Sequence, residues 1–332
     1  MKVLVTGCAG FVGFYLCKKL LSEGSQVIGI DNLNDDYDVS IKENRVSRLK
    51  LFDKFTFIKL DVVNDAFSSI LKGEKVDHVI HLAAKDLYYH SPADLSYTEY
   101  LITNVIGTSK IFELAKQLES KKFIFLSTHS VYGITKKGLL TERELLPKPI
   151  SPHGASKIAA EQILHFMCNF YKMPTVILRA FTVYGPEMRP HTLIPLLIDR
   201  ISKGLPVDLY HDADATRDFI YIDDVVNYIL AVMNKRLKFQ IINVASGKSF
   251  TMSHIAQKIA TLVGKDPEKI IHLQHAKSFR HVVVKHVVAD TSRAKKLLKY
   301  SPQVDIDAGL KTTVGWYLSH PDILHLSTHH GK

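Results

Sequence analysis

Apolar residues recur in short runs along the first 180 residues of the chain. Each run predicts a buried strand, at residues 2–6, 26–30, 55–60, 78–82, 122–126 and 175–178. Amphipathic stretches separate several of them, including a helix that follows Gly13 and runs through Leu21, and a long helix at residues 97–118. This alternation of strands and helices predicts an α/β fold with a doubly wound parallel sheet.

The pattern becomes less regular after residue 180. It predicts a helix at residues 193–202, a short strand that follows Arg217 and leads into a helix from Asp223, a strand around residues 286–289 and a helix from Ser292. We interpret residues 1–180, with 216–244 returning to them, as one domain. Residues 181–215 and 245–330 are interpreted as a smaller C-terminal lobe that binds the substrate.

A glycine-rich loop joins the first predicted strand to the first helix. Gly7, Gly10 and Gly13 allow the backbone to approach a pyrophosphate, and the helix N-terminus supplies amides and partial positive charge. The second strand ends at Asp31, whose carboxylate would accept hydrogen bonds from ribose hydroxyls and repel a 2′-phosphate. The order of strand, loop, helix, strand and acid therefore predicts a Rossmann domain that binds NAD in preference to NADP.

The C-terminal ends of the predicted strands carry several small or polar residues. Asp31, Asp61, Ala83 and Thr128 each follow or end a strand. Because ligands of open α/β sheets bind at this edge, we expect these residues to line the ligand site.

The stretch SPHGASKIAAE, residues 151–161, predicts the start of a helix. Ser151 can cap it and Pro152 is tolerated in a first turn. His153 and Lys157 are four residues apart and share one face, so they form a candidate acid/base pair. The alternative is a half-exposed helix on which the pair is incidental.

Three arginines in the second half of the chain suit an anionic ligand. The guanidinium groups of Arg189, Arg217 and Arg280 could clamp a diphosphate through bidentate contacts. The alternative is that they are ordinary surface arginines.

Composition narrows the class of protein. The chain has 332 residues, three cysteines without metal-binding or disulfide spacing, and a formal net charge of +10. No apolar run is long enough to span a membrane, and MKVLVTG lacks the features of a signal peptide, so we expect a cytoplasmic protein without a membrane or metal site. The sequence has no basic stripe with interleaved aromatic residues, so nucleic-acid binding is not expected. The positive charge suits small anionic substrates instead.

Motifs throughout the chain resemble those of one enzyme family. They are VTGCAGFVG, GIDNLNDDYDVSIKENR, HLAA, NVIGT, SVYG, SPHGASK, FTVYGP, TRDFIYIDDVV and GLKTTVGWY. By these motifs the chain resembles the extended short-chain dehydrogenase/reductases, specifically NAD-dependent nucleotide-sugar epimerases, and is most similar to UDP-glucuronate 4-epimerases.

The resemblance implies binding sites for a cofactor and a substrate. The implied NAD-binding residues are Gly7, Gly10, Phe11, Val12, Gly13, Asp31, Asn32, Asp61, Val62, Leu82, Ala83, Ala84, Ser127 and Lys157. The implied residues for the nucleotide sugar are Arg189, Arg217, Arg280 and His191, of which His191 matches a catalytic histidine of the related GDP-fucose synthases. Members of the family usually form homodimers through the helices that correspond to residues 97–118 and 152–172.

The resemblance also assigns catalytic roles, with one departure. Thr128 matches the residue that hydrogen-bonds the sugar hydroxyl, and Lys157 matches the lysine that holds the nicotinamide ribose. The family's base is a tyrosine four residues before this lysine, and here that position is His153. Neutral imidazole can accept a proton at pH 7, and a nearby Lys157 favours the neutral form unless an unidentified carboxylate offsets it. Imidazole is shorter than phenol, so three possibilities remain: His153 is the base, another residue takes over the chemistry, or the protein does not turn over a sugar.

The leading function is epimerisation at C4 of a nucleotide-activated sugar, of UDP-hexuronate or UDP-hexose type, through a transient 4-keto intermediate. The alternatives are a 4-oxidoreductase or a 3,5-epimerase that uses histidines, and a catalytically silent protein that binds NAD or nucleotide sugars. His129 and Ser130 stand where 4,6-dehydratases have an Asp-Glu pair, and decarboxylases have Glu at the Ser130 position, so both reactions are disfavoured. The segment after HLAA differs from that of the glucuronate epimerases and is about two residues longer, which indicates a different substrate pocket.

Overall fold

The computed structural model describes residues 1–64, 66–86, 97–133, 138–144, 148–209, 215–273 and 287–325. Its strands are β1 (Lys2–Thr6), β2 (Gln26–Asp31), β3 (Phe55–Lys59), β4 (His78–His81), β5 (Lys122–Thr128), β6 (Leu139–Leu140), β7 (Thr175–Ala180), β8 (Thr182–Tyr184), β9 (Val207–Leu209), β10 (Thr216–Tyr221), β11 (Gln240–Val244), β12 (Ser249–Thr251), β13 (Ile271–Leu273) and β14 (Val288–Ala289). The six strands predicted in the first 180 residues are confirmed, with ends that differ by at most two residues.

The helices follow the predicted order. They are α1 (Phe11–Ser22), α2 (Val39–Leu49), α3 (Phe67–Ile70), α4 (Tyr97–Leu101), α5 (Thr108–Gln117), α6 (Pro152–Tyr171), α7 (Leu193–Ser202), α8 (Ile222–Met233), α9 (Met252–Val263), α10 (Pro267–Ile270), α11 (Ser292–Leu298), α12 (Ile306–Ser319) and α13 (Pro321–His325). A π-helical segment (Ile102–Gly107) joins α4 to α5, and a 3₁₀ helix (His129–Tyr132) follows β5. A search of the described helices for a membrane-spanning segment found none of sufficient length and apolarity.

The main sheet has seven strands in the order β11-β7-β5-β4-β1-β2-β3, and the pairs from β7 to β3 are all parallel. The predicted doubly wound α/β architecture is confirmed. The strand order reverses between β1 and β4, so the loops after these strands diverge and leave room for a ligand. These are the loops that carry the glycines and the HLAA motif.

The chain divides into two compact units. The first comprises Met1–Gly133, Glu144–Ala180 and Val226–Asn243, and the second comprises Ile134–Arg143, Phe181–Val225 and Val244–Lys332. Residues 216–225 lie in the second unit, where β10 pairs with β8 and β12.

The core of the first unit lies between one face of the sheet and helices α5 and α6. Leu4, Phe123 and Ile177 from the strands pack in one cluster with Phe112 of α5 and Leu164 of α6, and all five are fully buried. Burial of side chains of this size contributes about 1.5–3 kcal/mol each relative to exposure. The cluster holds α6 against the sheet and so fixes the helix that carries His153 and Lys157.

The helix predicted at residues 97–118 differs from the expectation in its middle. It contains the π-helical segment, which adds a residue to the local turn. Asn104 lies in this segment, fully buried, and its side-chain amide bonds the main chain of Lys85 and the hydroxyl of Ser156. A hydrophobic pattern with a 3.6-residue period contains no signal for this extra residue, whereas the tertiary bonds of Asn104 provide a reason for it.

A buried carboxylate organises the loops of the second unit. Asp218 of β10 accepts hydrogen bonds from the amides of Ser246 at 2.8 Å, Gly247 at 2.9 Å and Ala289 at 3.2 Å. Burial raises the pKa of Asp218 to about 6, although these hydrogen bonds lower it. Asp218 thereby connects the strand that carries Arg217 to β14 and to the turn after β11.

Two glycines in α12 differ in their surroundings. A β-carbon built on Gly309 would lie 2.1 Å from the hydroxyl oxygen of Tyr184, a residue that is buried in the same unit. A β-carbon on Gly315 would meet no heavy atom within 4 Å. The close approach of α12 to Tyr184 therefore depends on the glycine at position 309, whereas the glycine at position 315 plays no part in it.

We expect Gly309→Ala to lower the free energy of unfolding by about 1–3 kcal/mol, because the added methyl overlaps Tyr184. Gly315→Ala is the matched control. It should raise the free energy of unfolding by about 0.5–1 kcal/mol, the ordinary gain for replacing glycine inside a helix. Urea unfolding of both variants measures the difference, and equal effects would contradict the packing shown here.

Candidate active site

The glycine loop is packed too tightly for any side chain at two of its positions. Gly7 has φ +71°, and a β-carbon there would lie 2.7 Å from the amide nitrogen of Ala83. A β-carbon on Gly13 would lie 2.0 Å from the carbonyl oxygen of Gly7. Gly10 is the N-cap of α1 and offers no side-chain cap, so the amides of Phe11, Val12 and Gly13 lie outside the helical hydrogen-bond ladder. This uncapped cradle fits a pyrophosphate.

The carboxylate of Asp31 lies at the end of β2, beside this loop. It is buried and accepts hydrogen bonds from the amides of Ala9 at 3.0 Å and Leu33 at 2.9 Å. The next residue, Asn32, donates its side-chain amide to Asp61 at 2.7 Å. The structure thus brings Asp31, Asn32 and Asp61 together at the C-terminal edge of neighbouring strands, and a carboxylate fixed in this way suits the hydroxyls of a ribose.

The end of β4 forms the other side of the glycine loop. Leu82, Ala83 and Ala84 follow the strand and are half-buried. The amides of Leu82 and Ala83 each lie 3.3 Å from the hydroxyl of Thr6, which ends β1. Val62, after β3, is buried in the core cluster that packs on the sheet.

The start of α6 lies against the turn that follows β5. Ser151 caps the helix, and its hydroxyl accepts a hydrogen bond from the amide of Gly154 at 3.0 Å. A β-carbon on Gly154 would lie 2.8 Å from the carbonyl oxygen of Ser130, so the helix and the turn are in contact. Thr128 ends β5 with its side chain almost fully buried, and its hydroxyl caps the 3₁₀ helix by accepting from the amide of Ser130 at 3.2 Å.

Lys157 and His153 are both buried, at 3% and 5% exposure. The Lys157 ammonium donates to the carbonyl oxygen of Leu126 at 2.9 Å and lies 4.3 Å from the centre of the Phe125 ring. Burial lowers the pKa of Lys157 to about 8, although the charges of Asp86 and Glu161 partly oppose this. His153 and Lys157 therefore lie on the buried face of α6 and not on its exposed face.

The two nitrogens of the His153 imidazole lie near groups of different chemistry. Its Nδ1 lies 3.0 Å from the carbonyl oxygen of Lys85, and its Nε2 lies 3.8 Å from Oδ1 of Asp86. Both groups belong to Lys85 and Asp86, the two residues that directly follow the HLAA motif at the end of β4. The segment therefore contributes to the candidate site through a main-chain carbonyl and a carboxylate.

The predicted substrate-binding residues lie in the second unit where the structure describes them. Arg217 is half-buried on β10, and its guanidinium donates to the carbonyl oxygen of Thr216 at 3.0 Å. Arg189 and His191 are half-buried in the loop between β8 and α7. Arg280 lies outside the described residues, as do residues 87–96 of the longer segment after HLAA.

Sequence reasoning missed a buried ion pair below the site. Glu161 of α6 accepts hydrogen bonds from the guanidinium of Arg179 at 2.7 Å and from the hydroxyl of Ser127 at 2.5 Å. The hydrogen bonds to Glu161 outweigh burial and raise the pKa of Arg179 above its ordinary value. Two signals could have revealed the pair: Glu161 continues the i, i+4 spacing of His153 and Lys157, and Arg179 interrupts an apolar strand.

The described chain also places Lys85, Asp86 and Asn104 around His153, and none of the three was singled out as a site residue from the sequence. Asn104 offered the one available signal, since it is a polar residue within a predicted helix. Lys85 and Asp86 contact His153 across 67–68 positions of sequence. Such contacts depend on the topology of the sheet and have no local signature.

Comparison with known proteins identifies the family. A model of the NAD dependent epimerase/dehydratase family matches residues 3–245. The UDP-glucuronate 4-epimerase of Thermodesulfobacterium geofontis is 36% identical, over 94% of this chain and 95% of the relative. The crystal structure of UDP-glucuronic acid 4-epimerase from Bacillus cereus, in complex with UDP-glucuronic acid and NAD, is 33% identical with a TM-score of 0.85, over 96% of this chain and all of that one.

A second solved structure extends the comparison. The UDP-glucose 4-epimerase of Thermotoga maritima, with UDP-glucose, is 29% identical with a TM-score of 0.83, over 97% of this chain and all of that one. The resemblance predicted from the motifs is thereby confirmed along nearly the whole chain, and NAD is the cofactor that fits the glycine cradle and Asp31. The chain belongs to the NAD-dependent epimerase/dehydratase family.

Proposed function

We propose that this protein is an NAD-dependent epimerase that acts at C4 of a nucleotide-activated sugar, of UDP-hexuronate or UDP-hexose type, through a transient 4-keto intermediate. The observation that carries the proposal is the burial of His153 one helical turn from Lys157, on a helix whose start contacts the turn after Thr128. The names of the relatives support the substrate class, since one binds UDP-glucuronic acid with NAD and another binds UDP-glucose.

In this proposal the first unit holds the cofactor. The amides of Phe11, Val12 and Gly13 bind the pyrophosphate, and Asp31 and Asn32 bind the adenosine ribose. The remaining cofactor-binding positions are Asp61, Val62, Leu82, Ala83, Ala84, Ser127 and Lys157. Bound NAD supplies a reversible acceptor for the hydrogen at C4.

Three side chains act on the sugar. Thr128 hydrogen-bonds the reacting hydroxyl and orients it, and Nε2 of His153 accepts its proton. Lys157, with a pKa of about 8, still carries a proton near neutral pH and holds the nicotinamide ribose. Imidazole has an ordinary pKa near neutrality, so His153 needs less adjustment than a phenol to work as a base.

The second unit binds the nucleotide sugar. Arg189, Arg217 and Arg280 bind the diphosphate, and His191 contacts the substrate from the same loop as Arg189. Guanidinium groups suit this ligand because they offer paired donors at fixed spacing.

We also propose that the protein is a cytoplasmic homodimer. Phe166 and Phe170 of α6 are 66% and 67% exposed, and Leu101 of α4 and Ile106 of the adjoining π-helical segment are about half exposed. Exposed apolar side chains on two adjacent helices mark a surface for association, and a second copy of the chain would cover them. The cysteines Cys8, Cys17 and Cys168 are buried free thiols, consistent with a reducing compartment.

The first prediction for this function concerns the cofactor. NAD should bind much more tightly than NADP, because Asp31 accepts from the ribose hydroxyls and repels a 2′-phosphate. Asp31→Ala should weaken NAD binding by about 1.5–3 kcal/mol and narrow the difference from NADP. Calorimetry measures the affinities for NAD and NADP. Asp53 is exposed, so Asp53→Ala is the control and should leave both affinities unchanged. Equal affinity of the unaltered protein for NAD and NADP would refute the assignment.

The second prediction concerns the diphosphate. Arg217→Ala should weaken the binding of UDP-glucuronic acid by about 1.5–3 kcal/mol, since a charge-assisted hydrogen bond is lost. Arg236 is exposed in the first unit, so Arg236→Ala should leave the affinity unchanged. If calorimetry finds the same affinity in both variants, Arg217 does not bind the phosphate.

The third prediction tests the reaction itself. The protein is incubated with UDP-, GDP-, CDP- and dTDP-sugars while NADH absorbance and epimeric products are followed. The rate should rise with pH as His153 loses its proton, and it should level off at a pH below the pKa of Lys157, which is about 8. His153→Ala should abolish turnover with NAD still bound, and His153→Tyr should preserve or raise it if the pocket accepts a phenol. Full activity of His153→Ala would exclude His153 as the base, and absence of turnover across the panel would favour a binding protein.

A further inference from the structure

The main chain of Lys85 is fixed on both sides by one buried amide. The amide nitrogen of Lys85 donates to Oδ1 of Asn104 at 2.8 Å, and Nδ2 of Asn104 donates back to the carbonyl oxygen of Lys85 at 3.0 Å. Nδ2 of Asn104 also donates its other hydrogen to the hydroxyl oxygen of Ser156, at an N–O distance of 2.8 Å. Asn104 is fully buried and its bonding groups are engaged, so the position of the Lys85 carbonyl is closely determined.

The side chain of Lys85 is also held. Its ammonium lies 2.6 Å from Asp36 and 3.0 Å from Glu99, which come from two different parts of the first unit. Burial alone would lower the pKa of Lys85, but these two carboxylates outweigh it and raise the pKa. The segment after β4 is therefore anchored by both its backbone and its side chain where it passes His153.

The anchored carbonyl determines which nitrogen of His153 carries the proton. A carbonyl oxygen can only accept, so the contact of 3.0 Å with Nδ1 is a hydrogen bond only if Nδ1 is protonated. In the neutral ring the acceptor is then Nε2. A phenol at this position would have no group equivalent to Nδ1, so this contact specifically serves an imidazole.

The acceptor nitrogen faces a carboxylate. Oδ1 of Asp86 lies 3.8 Å from Nε2, which is too far for a direct hydrogen bond and within the range of an ion pair. Asp86 thus brings a negative charge to the ring from the segment after β4, and Lys157 carries a positive charge one helical turn along the same buried face of α6. The 3₁₀ helix that contacts the start of α6 contributes two titratable residues, His129 and Tyr132, and α4, which also packs against α6, contributes Tyr97, Glu99 and Tyr100.

We propose that Lys85 and Asp86 together make His153 a competent base. The Lys85 carbonyl keeps the proton on Nδ1, and the Asp86 carboxylate stabilises the imidazolium that forms when Nε2 accepts the sugar hydroxyl proton. The O–H bond breaks and an N–H bond forms at Nε2. The electron pair left on oxygen becomes the second bond of the keto group as the C4–H bond breaks, and bound NAD would supply the acceptor for that hydride. This inference rests on the proposed role of His153 as the base.

The charge of Asp86 matters because Lys157 acts in the opposite direction. An ammonium near the ring disfavours imidazolium, which weakens the base, and a carboxylate at 3.8 Å restores its proton affinity. Asp86 is thus a positioning residue that acts through His153. Its loss should lower the pKa of His153, move the rising limb of the pH–rate profile to lower pH and reduce the rate on the plateau, since a weaker base transfers the proton less readily.

The test is nuclear magnetic resonance of the NAD-loaded protein with ¹⁵N-labelled histidine. The His153 signals are assigned by difference with His153→Gln. We expect a neutral ring protonated at Nδ1, and a pKa that falls by about one pH unit in Asp86→Asn. Asp86→Glu should recover at least part of the shift, because it restores the charge. Asp53→Asn, which removes the same charge at an exposed position, should leave the His153 pKa unchanged.

The rate measurement uses UDP-glucuronic acid. In Asp86→Asn the plateau kcat should fall roughly threefold with little change in KM, and the midpoint of the rising limb should move with the His153 pKa. A neutral ring protonated at Nε2, or a His153 pKa that is the same in Asp86→Asn and the unaltered protein, would overturn the inference. The expected tautomer and shift in a protein that turns over no sugar would support the coupling of Asp86 to His153 and refute only the proposed epimerase function.

Discussion

Three ionisable side chains on one buried face of α6 are the constraint on which the site depends. His153, Lys157 and Glu161 follow one another at intervals of four residues, and none is more than 5% exposed. A buried ionisable group is costly unless a partner compensates it. Each therefore has a partner supplied by a neighbouring element: Arg179 of β7 for Glu161, the Leu126 carbonyl of β5 for Lys157, and the Lys85 carbonyl for His153.

This arrangement couples the position of the helix to the chemistry at its start. If α6 moved along or around its axis, Glu161 would leave Arg179, and an uncompensated charge would remain in the interior. Breaking a buried pair of this kind typically costs about 3–5 kcal/mol. The ion pair therefore resists displacement of α6, and two turns away the same rigidity holds the His153 ring against the segment that follows β4.

The parts of the fold that could be predicted are those with a local signal. The strand at residues 2–6 and the helix at residues 193–202 have the predicted ends, because an apolar period and a glycine boundary define them. The π-helical segment was not predictable from the apolar period. It coincides with hydrogen bonds from Asn104 to Lys85 and Ser156, and these tertiary contacts have no signal in the local sequence. The predicted strand around residues 286–289 is confirmed at Val288–Ala289, whereas Val287 precedes the strand and His286 lies outside the described residues.

The candidate site likewise has some residues with a local signal in the sequence and some contacts without one. Asp31 and the pair His153 and Lys157 were recognisable because they occupy a strand end and one helical face. Glu161 and Arg179 left weaker signals, a third ionisable residue at the same spacing and an arginine within an apolar strand, whereas Asp86 meets His153 across 67 positions and has no local signature. The sequence raised only the general possibility that a carboxylate offsets the charge of Lys157. The assignment of that role to Asp86 required the geometry.

In the proposed mechanism, a histidine at the position of the family's tyrosine changes what the neighbouring lysine does. A phenol has an ordinary pKa near 10, so a nearby ammonium helps it by favouring the phenolate. An imidazole is already neutral at pH 7, and the same ammonium opposes the imidazolium that proton transfer must produce.

A site that keeps Lys157 and replaces the phenol therefore needs a negative charge on the side of the ring where the proton arrives. In this chain that side is Nε2, because the Lys85 carbonyl engages Nδ1, and the carboxylate beside Nε2 is Asp86. In the proposed mechanism, two adjacent residues after β4 thus reconcile cofactor binding with the strength of the base, without any change in the lysine.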